Sequence, residues 1–318
     1  MTVMKYCKDN LSRCLLILPA MLLILASGVS ALAASAGNKQ KSFASPEKAV
    51  HNLIAALKGN DDKGLATVLG PGSQSLISSG DRVADRAGRA EFVRLYEEKN
   101  RIELKKADKA VLSIGNQDYP VPIPVVKRGN AWLFDTRAGK EEILNRRIGR
   151  NELKAIDVAH AYVDAQREYA FNERGGVEVL EFAQKFLSTP GKQDGLYWKT
   201  QEGEEESPFG PLIAEAAREG YTKGKDDKPV PFHGYYFRIL KAQGRNADGG
   251  AFNYVVNGHM ILGFALVAYP AQYGASGIMT FIVNQDGVVY QKNLGRNSAK
   301  VAAAMKLYDP DKSWRKVE

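Results

Sequence analysis

The chain has 318 residues, of which 44% are hydrophobic and 25% charged, and its formal net charge is +8. This composition is that of an ordinary folded protein. A nucleic-acid-binding surface would need its basic residues on one face with aromatic or groove-reading neighbours, whereas here they are scattered among acids. The densest basic stretch, Arg146-Arg147 with Arg150 and Lys140, is predicted to be a solvated helix face. We therefore expect no nucleic-acid partner.

The first 36 residues have the layout of a secretory signal. Basic residues precede an apolar run over 14–26, and small residues follow it. Two A-x-A sites predict cleavage after Ala33 or after Ala36. The protein is then expected to be periplasmic or secreted. The alternative is an uncleaved inner-membrane anchor formed by residues 14–36, which are numerous enough to span a bilayer, and we expect no other membrane contact.

The cysteines are Cys7 and Cys14, and both lie inside the predicted signal. The mature chain would therefore have no disulfide, no thiolate metal site and no thiol nucleophile.

After a polar spacer at 37–42, the chain is predicted to begin with helices. Ser45-Pro46-Glu47 supplies an N-cap, a proline in the first turn and an acid beside them. A short helix around Leu65 and a third helix near 86–99 follow. Short apolar or alternating runs then predict strands at 101–104, 109–114, 123–127 and 131–135, the last pair joined by a hairpin turn. Helices followed by a meandering antiparallel sheet resemble the cystatin-like cones of the nuclear-transport-factor-like superfamily, and we assign this domain to 43–148.

The second half is predicted to begin with a long helix over 140–172 that pauses near Gly149, where we place the boundary of a domain covering 149–318. A helix at 175–187, a loop at 188–211 and a helix at 212–218 follow. Further segments are predicted as strands at 234–242, 264–269, 278–284 and 288–292 and as a terminal helix at 298–308. The fold class is therefore α+β.

Six sequence blocks resemble one bacterial exported family. They are FASPE at 43–47, GKEEILNRRIGRNEL at 139–153, YVDAQREY at 162–169, FLSTPGKQDGLYW at 186–198, HGYYFRIL at 233–240 and TFIVNQDGVVYQK at 280–292. They are similar to the family catalogued as domain of unknown function 2950, and the similarity spans nearly the whole mature chain. It implies export and a shared fold, and it brings no activity or catalytic residues with it.

The second half also resembles type IV pilin-like proteins. Asn151-Glu152, Ala165-Gln166, Gly-Tyr-Tyr-Phe-Arg at 234–238 and Asp286-Gly287-Val288 follow the order of that family. The resemblance implies a helix packed on an antiparallel sheet. A pilin's apolar N-terminal helix runs directly into this helix, whereas here a whole predicted domain intervenes, so the resemblance implies the fold more than filament assembly.

Four residues are the candidate binding residues. Tyr197-Trp198 lies in a predicted loop, and loops carry binding residues more often than other segments do. His233 and Tyr235 stand where a Pro-rich segment enters a predicted strand. Tyrosine and tryptophan are enriched at binding hot spots. For His233 and Tyr235, the competing interpretation is a structural role at the strand and in the core.

The sequence contains no motif that indicates catalysis or metal binding. The histidines at 51, 160, 233 and 259 lack a second histidine or a cysteine at ligand spacing. The carboxylate clusters lack the spacing of a calcium loop, and Ser276 does not stand in a G-x-S-x-G elbow. We predict no catalytic residue, no metal and no cofactor.

These observations favour a non-catalytic envelope protein that binds an envelope protein or a small ligand near the junction of the two predicted domains. An envelope hydrolase and a structural accessory of a pilus or secretion system remain as alternatives.

Overall fold

The computed structural model of the chain describes residues 39–171, 180–201, 203–222 and 229–317. The predicted signal peptide, both of its cleavage sites and the start of the spacer lie outside these residues. Asn38–Glu318 form one compact unit. Within the described ranges, no helix has both the length and the apolar character needed to cross a membrane.

Four helices come first: α1 Pro46–Lys58, α2 Asp62–Leu69, α3 Gln74–Ile77 and α4 Arg82–Glu98. Side chains cap three of them. Ser45 accepts a hydrogen bond from Lys48 N at the start of α1, and Asp61 accepts one from Gly64 N at the start of α2. Asp81 does the same for α4. Each cap satisfies a backbone donor that has no partner within its own helix.

The first sheet follows, and it contains all four strands predicted for this half. Its strands are β1 Asn100–Lys106, β2 Lys109–Ile114, β3 Tyr119–Pro120, β4 Val125–Arg128 and β5 Ala131–Phe134. The antiparallel order is β1-β2-β4-β5, and β3 pairs with β2. Strand β3 was not predicted, because two residues are too few to show an alternating pattern.

A single helix, α5 Thr136–Phe171, runs 36 residues without interruption. The predicted pause near Gly149 is wrong. A Cβ at Gly149 would meet nothing within 4 Å, so the glycine is not required by close packing, and tertiary contacts on both sides of it keep the helix continuous. The domain boundary that we placed at this residue stays a prediction.

The remaining helices and strands form the second half of the unit. They are α6 Gly210–Arg218, β6 Tyr235–Leu240, β7 Ala242–Gln243, β8 Phe252–Asn253, β9 Val255–Val256, β10 His259–Met260, β11 Ala265–Pro270, β12 Thr280–Asn284, β13 Tyr290–Lys292, α7 Ser298–Ala304 and β14 Arg315–Lys316. A second antiparallel sheet has the order β14-β13-β12-β11-β6, and β7-β8 and β9-β10 form two small ribbons.

Helix α5 is fixed to this second sheet by the side chain of Glu152. Its Oε1 accepts hydrogen bonds from Ile278 N at 2.8 Å and Met279 N at 2.9 Å, just before β12. Asn151 Nδ2 donates to Ser276 O at 2.8 Å. These bonds dock the middle of the helix on the sheet.

The helix predicted at 175–187 is wrong over 180–187, and the rest of that prediction, 175–179, lies outside the described residues. The backbone of Ala183 pairs with the side chain of Gln166, which both donates to it and accepts from it. Phe182 N donates to Met260 O at 2.8 Å. Because these backbone groups bond to other parts of the chain, they are not used in helical hydrogen bonds.

The terminal helix α7 ends at Ala304, earlier than predicted. Arg238 Nη2 donates to Ala302 O at 2.7 Å and to Met305 O, which satisfies carbonyls at the helix end. Tyr308 N then donates to Ala242 O at 2.9 Å, which places the following residues beside β7.

Buried apolar side chains form two groups. The N-terminal cluster extends from Phe43 to Phe134 and lies among α1, α2, α3 and the first sheet. The C-terminal cluster extends from Ala155 to Tyr308 and lies between the second half of α5 and the second sheet. Helices and antiparallel sheets are both present, so the protein is α+β, as predicted.

Candidate functional site

A cavity of about 980 Å³ adjoins the N-terminal cluster. Its apolar wall includes Leu53, Leu57, Leu65, Leu69, Phe92, Leu95, Ile114, Phe134 and Ile143. These side chains come from α1, α2, α4, α5 and the first sheet. The space is a cleft that is partly open to solvent, so it is accessible to a ligand without unfolding of the wall.

Helix α4 forms one wall of the cavity, and its apolar side chains are only partly buried against the N-terminal cluster. None of the residues of α4, all of which the structure describes, is fully buried. Phe92 and Leu95 are half-buried on the cavity side. At its C-terminal end the helix is fixed to the sheet, because Gly115 N donates to Leu95 O at 3.0 Å and to Lys99 O at 2.8 Å. The helix is held at its ends, and residues along most of its length, from Val83 to Leu95, line the cavity.

Four cationic side chains line the other side of the cavity: Arg89 from α4, and Arg147, Arg150 and Lys154 from α5. Arg147 is half-buried; its Nη1 donates to Ser75 O at 2.8 Å and its Nη2 to Leu76 O at 2.7 Å. Burial lowers the pKa of Arg147; nearby Asp85 opposes this effect, while the charges of Arg150 and Arg89 add to it. The arginines are therefore close enough to repel one another.

The carboxylates that line the cavity already have partners. Both oxygens of Asp85 accept from Ser79 N, at 3.0 and 3.3 Å. Glu91 pairs with Arg94 at 2.7 Å. Glu219 lies beside His233. These acids balance part of the positive charge but do not pair directly with Arg147 or Arg150.

Asp81 connects the start of α4 to the segment that carries His233. Its Oδ1 accepts from the backbone N–H groups of Val83 and Ala84, and its Oδ2 accepts from Tyr221 Oη at 2.8 Å and Gly234 N at 2.9 Å. Burial, and then the charge of Asp81, raise the pKa of Tyr221. This buried carboxylate thus holds two parts of the cavity wall in a fixed relation.

His233, one of the candidate binding residues, lines the cavity. It has φ +47, and Gly234 has φ +76. A Cβ at Gly234 would come within 2.6 Å of Asn151 Nδ2, so this turn requires glycine. His233 Nε2 lies 2.9 Å from Glu219 Oε2, although this nitrogen makes no aligned hydrogen bond. The two atoms are close but are not hydrogen-bonded, because a hydrogen bond also requires the N–H to point at its acceptor.

The other three candidate residues lie in the C-terminal cluster and its surroundings. Tyr235 is fully buried, and its hydroxyl donates to Met279 O at 2.9 Å. Tyr197 and Trp198 are half-buried. Tyr197 N donates to Phe186 O at 2.8 Å, which places this segment against the C-terminal cluster. The structure therefore brings His233 to the cavity and leaves the two tyrosines and Trp198 elsewhere.

The remaining histidines are dispersed. His51 and His160 are exposed on α1 and α5, and His259 Nδ1 lies 2.8 Å from Glu181 Oε2. In the part of the chain that the structure describes, no group of three or more His, Cys, Asp or Glu side chains is placed to hold a metal ion.

The basic wall of the cavity was missed because it was interpreted as a solvated helix face. Arg146 and Arg150 are exposed, as predicted, whereas Arg147 is half-buried and faces the cavity. A usable signal was present in the sequence. Ile143, Arg147, Arg150 and Lys154 have the spacing i, i+4, i+7 and i+11, which is that of the inward stripe of a helix. Cations in such a stripe indicate an internal polar space.

Comparison with known proteins gives a family and no function. The family profile described as "Protein of unknown function (DUF2950)" matches residues 40–317, and the chain belongs to this family. No curated protein and no solved structure matches the chain. The likenesses to cystatin-like cones and to pilin-like domains therefore stay predictions.

Proposed function

We propose that this protein is an exported, non-catalytic binding protein that takes the apolar part of a small organic molecule into the cavity. The observation that carries the proposal is the cavity of about 980 Å³ with its largely apolar wall. Ligand sites are typically concave, mostly apolar spaces of about 300–1,000 Å³ with a few placed polar groups.

The free energy of binding would come from removing apolar surface from water. The side chains of Phe92 and Leu95 are half-exposed, and burying such surface is worth about 25 cal/mol for each Å². A ligand beneath α4 would supply the packing that this helix lacks. It would also stabilise the folded protein, because it binds the folded state alone.

The test is a fluorescence titration with an apolar dye whose emission rises when it leaves water. Gly88 lies on the cavity wall in α4, and a Cβ there meets nothing within 4 Å. The variant Gly88→Trp should fill the space and abolish dye binding. It should not weaken folding, since glycine inside a helix costs about 1 kcal/mol relative to alanine.

Gly149→Trp is the matched control. Gly149 is also a helical glycine with nothing within 4 Å of its Cβ position, and it lies on α5 outside the cavity wall. This variant should bind the dye as the unaltered protein does. Equal binding by Gly88→Trp would place the dye elsewhere and refute the proposed site.

A further inference from the structure

We infer that the ligand of this cavity is an amphipathic anion, whose acidic head group is bound by Arg147 and Arg150 while its aliphatic tail lies along Phe92 and Leu95. The inference rests on the proposed function, since it names the class of molecule that the cavity takes. The argument depends on which cations in the cavity wall have carboxylate partners.

Two of the four cations are neutralised by ion pairs. Arg89 Nη2 lies 2.6 Å from Asp62 Oδ1, and Lys154 Nζ lies 2.7 Å from Glu215 Oε1. Within the described residues, neither Arg147 nor Arg150 has a carboxylate at ion-pair distance. Their two positive charges are the ones that an incoming anion would meet.

The guanidinium of Arg147 is held in place before any ligand arrives. Its two terminal nitrogens donate to the carbonyls of Ser75 and Leu76. These carbonyls are neutral, so they fix the position of the group without pairing its charge; the nearby carboxylate of Asp85, which is bonded to Ser79 N, opposes only part of the effect of burial. Burying a charge is costly unless it is paired. An anion in the cavity would pair with this charge directly, without requiring Arg147 to move.

Arg150 stands one helical turn beyond Arg147, so both side chains project from the same face of α5. Planar guanidinium groups present paired N–H donors that match the two oxygens of a carboxylate or phosphate. Two of them side by side favour an acidic head group over a neutral alcohol. The apolar residues Phe92 and Leu95 line the same cavity, which accommodates an aliphatic tail attached to that head.

The experiment is calorimetric titration of the purified protein with three probes that share one tail: dodecanoate, dodecyl phosphate and dodecanol. Dodecanoate or dodecyl phosphate should bind at least tenfold more tightly than dodecanol, and the ranking of the two acids tells carboxylate from phosphate. Arg150→Gln should weaken the preferred acid about tenfold, about 1.4 kcal/mol, and leave dodecanol unchanged. Arg147→Gln should have a larger effect in the same direction.

Arg86→Gln is the control for loss of charge. Arg86 lies on α4, is exposed, and is outside the cavity wall, so this variant should bind all three probes as the unaltered protein does. Arg150→Gln supplies the test even if Arg147→Gln fails to fold, because Arg150 is exposed.

Two outcomes would overturn the inference, and they have different meanings. If dodecanol binds as tightly as both acids and the arginine variants change nothing, the head group is not recognised, although the cavity still binds apolar molecules. If no probe binds, the proposed function fails together with the inference.

Discussion

The two clusters of the protein are packed in different ways. In the C-terminal cluster, aromatic rings fill the space between α5 and its sheet: the ring of Tyr162 lies 5.6 Å from that of Phe264, and Phe182 lies 4.8 Å from Phe264. In the N-terminal cluster the sheet is covered on one side by α4, where Phe92 remains half-exposed over an open cavity. The C-terminal cluster is thus filled by its own side chains, whereas the N-terminal cluster leaves a cavity beside it.

This contrast suggests a division of tasks within one compact unit. Close packing provides stability and a single well-defined native state. A cavity forfeits part of that stability, because side chains on its wall lack partner atoms on one side. Under the proposed function this space is the ligand site, and Arg147 and Arg150 on its wall define the chemistry of the ligand.

The largest expected loss of stability comes from removing a buried aromatic side chain from the C-terminal cluster. Phe264 is fully buried between the rings of Tyr162 and Phe182, so Phe264→Ala should lower the free energy of unfolding by about 4 kcal/mol. Phe92→Ala, on the cavity wall, should lower it by about 1 kcal/mol. Urea unfolding of both variants measures the difference. Equal losses would mean that the two halves are packed alike.

A somewhat smaller loss of stability is expected at Asp81, which connects α4 to the segment that carries His233. Asp81→Ala removes the cap of α4 and leaves the donors of Tyr221 and Gly234 without their acceptor, so it should cost about 3 kcal/mol. Asp61→Ala, which removes the cap of α2 alone, should cost about 1 kcal/mol. Thermal or urea unfolding of the pair is the measurement. A loss at Asp81 no greater than that at Asp61 would show that the link adds nothing to the cap.

The smallest expected effect is on how the free energy of unfolding depends on pH, through tyrosines of the C-terminal cluster. Burial raises the pKa of Tyr162, Tyr235, Tyr254 and Tyr308, all in the C-terminal cluster. Because the folded pKa of each is raised, the stabilisation is fully present below about pH 10 and is lost as the pH rises toward the folded value. Each such tyrosine should therefore make the folded protein less stable as the pH rises above about 10.

Tyr162→Phe tests this dependence. The variant loses the hydrogen bond from Gln166 Nε2, which should cost about 1 kcal/mol at neutral pH. It should also have a shallower loss of stability above pH 10, measured by urea unfolding at several pH values. An unchanged slope would mean that the phenol of Tyr162 does not contribute to alkaline unfolding.

Much of the fold could be predicted because its signals are local. The cap at Ser45, the hairpin turn before β5 and the apolar run of β12 lie within short stretches of sequence. The wrong predictions concern segments whose backbone conformation depends on residues that are distant in the sequence. The backbone N–H and C=O of Ala183 are hydrogen-bonded to the side chain of Gln166. Helix α5 continues through Gly149 because of packing on either side of it. Neither effect is visible in a window of neighbouring residues.

The site was predictable in part. His233 was named as a candidate and lies on the cavity wall, where its unusual backbone conformation is set by the following glycine and by Asp81. The sequence predicts that Arg147 and Arg150 are solvated, because charged residues on a helix usually are. Arg150 is exposed as predicted, and the prediction is wrong only for Arg147, which is half-buried. A cavity depends on how several segments pack against one another, so it cannot be predicted from the sequence of any one of them. The family resemblance stated from the sequence is confirmed.

The most direct test of the central claim is a crystal structure of the protein with dodecanoate. We predict that its alkyl chain lies beneath α4, against Phe92 and Leu95, and that its carboxylate lies within hydrogen-bond distance of the guanidinium groups of Arg147 and Arg150. A structure in which α4 has closed onto the sheet, or in which the alkyl chain is bound outside the cavity, would contradict the account.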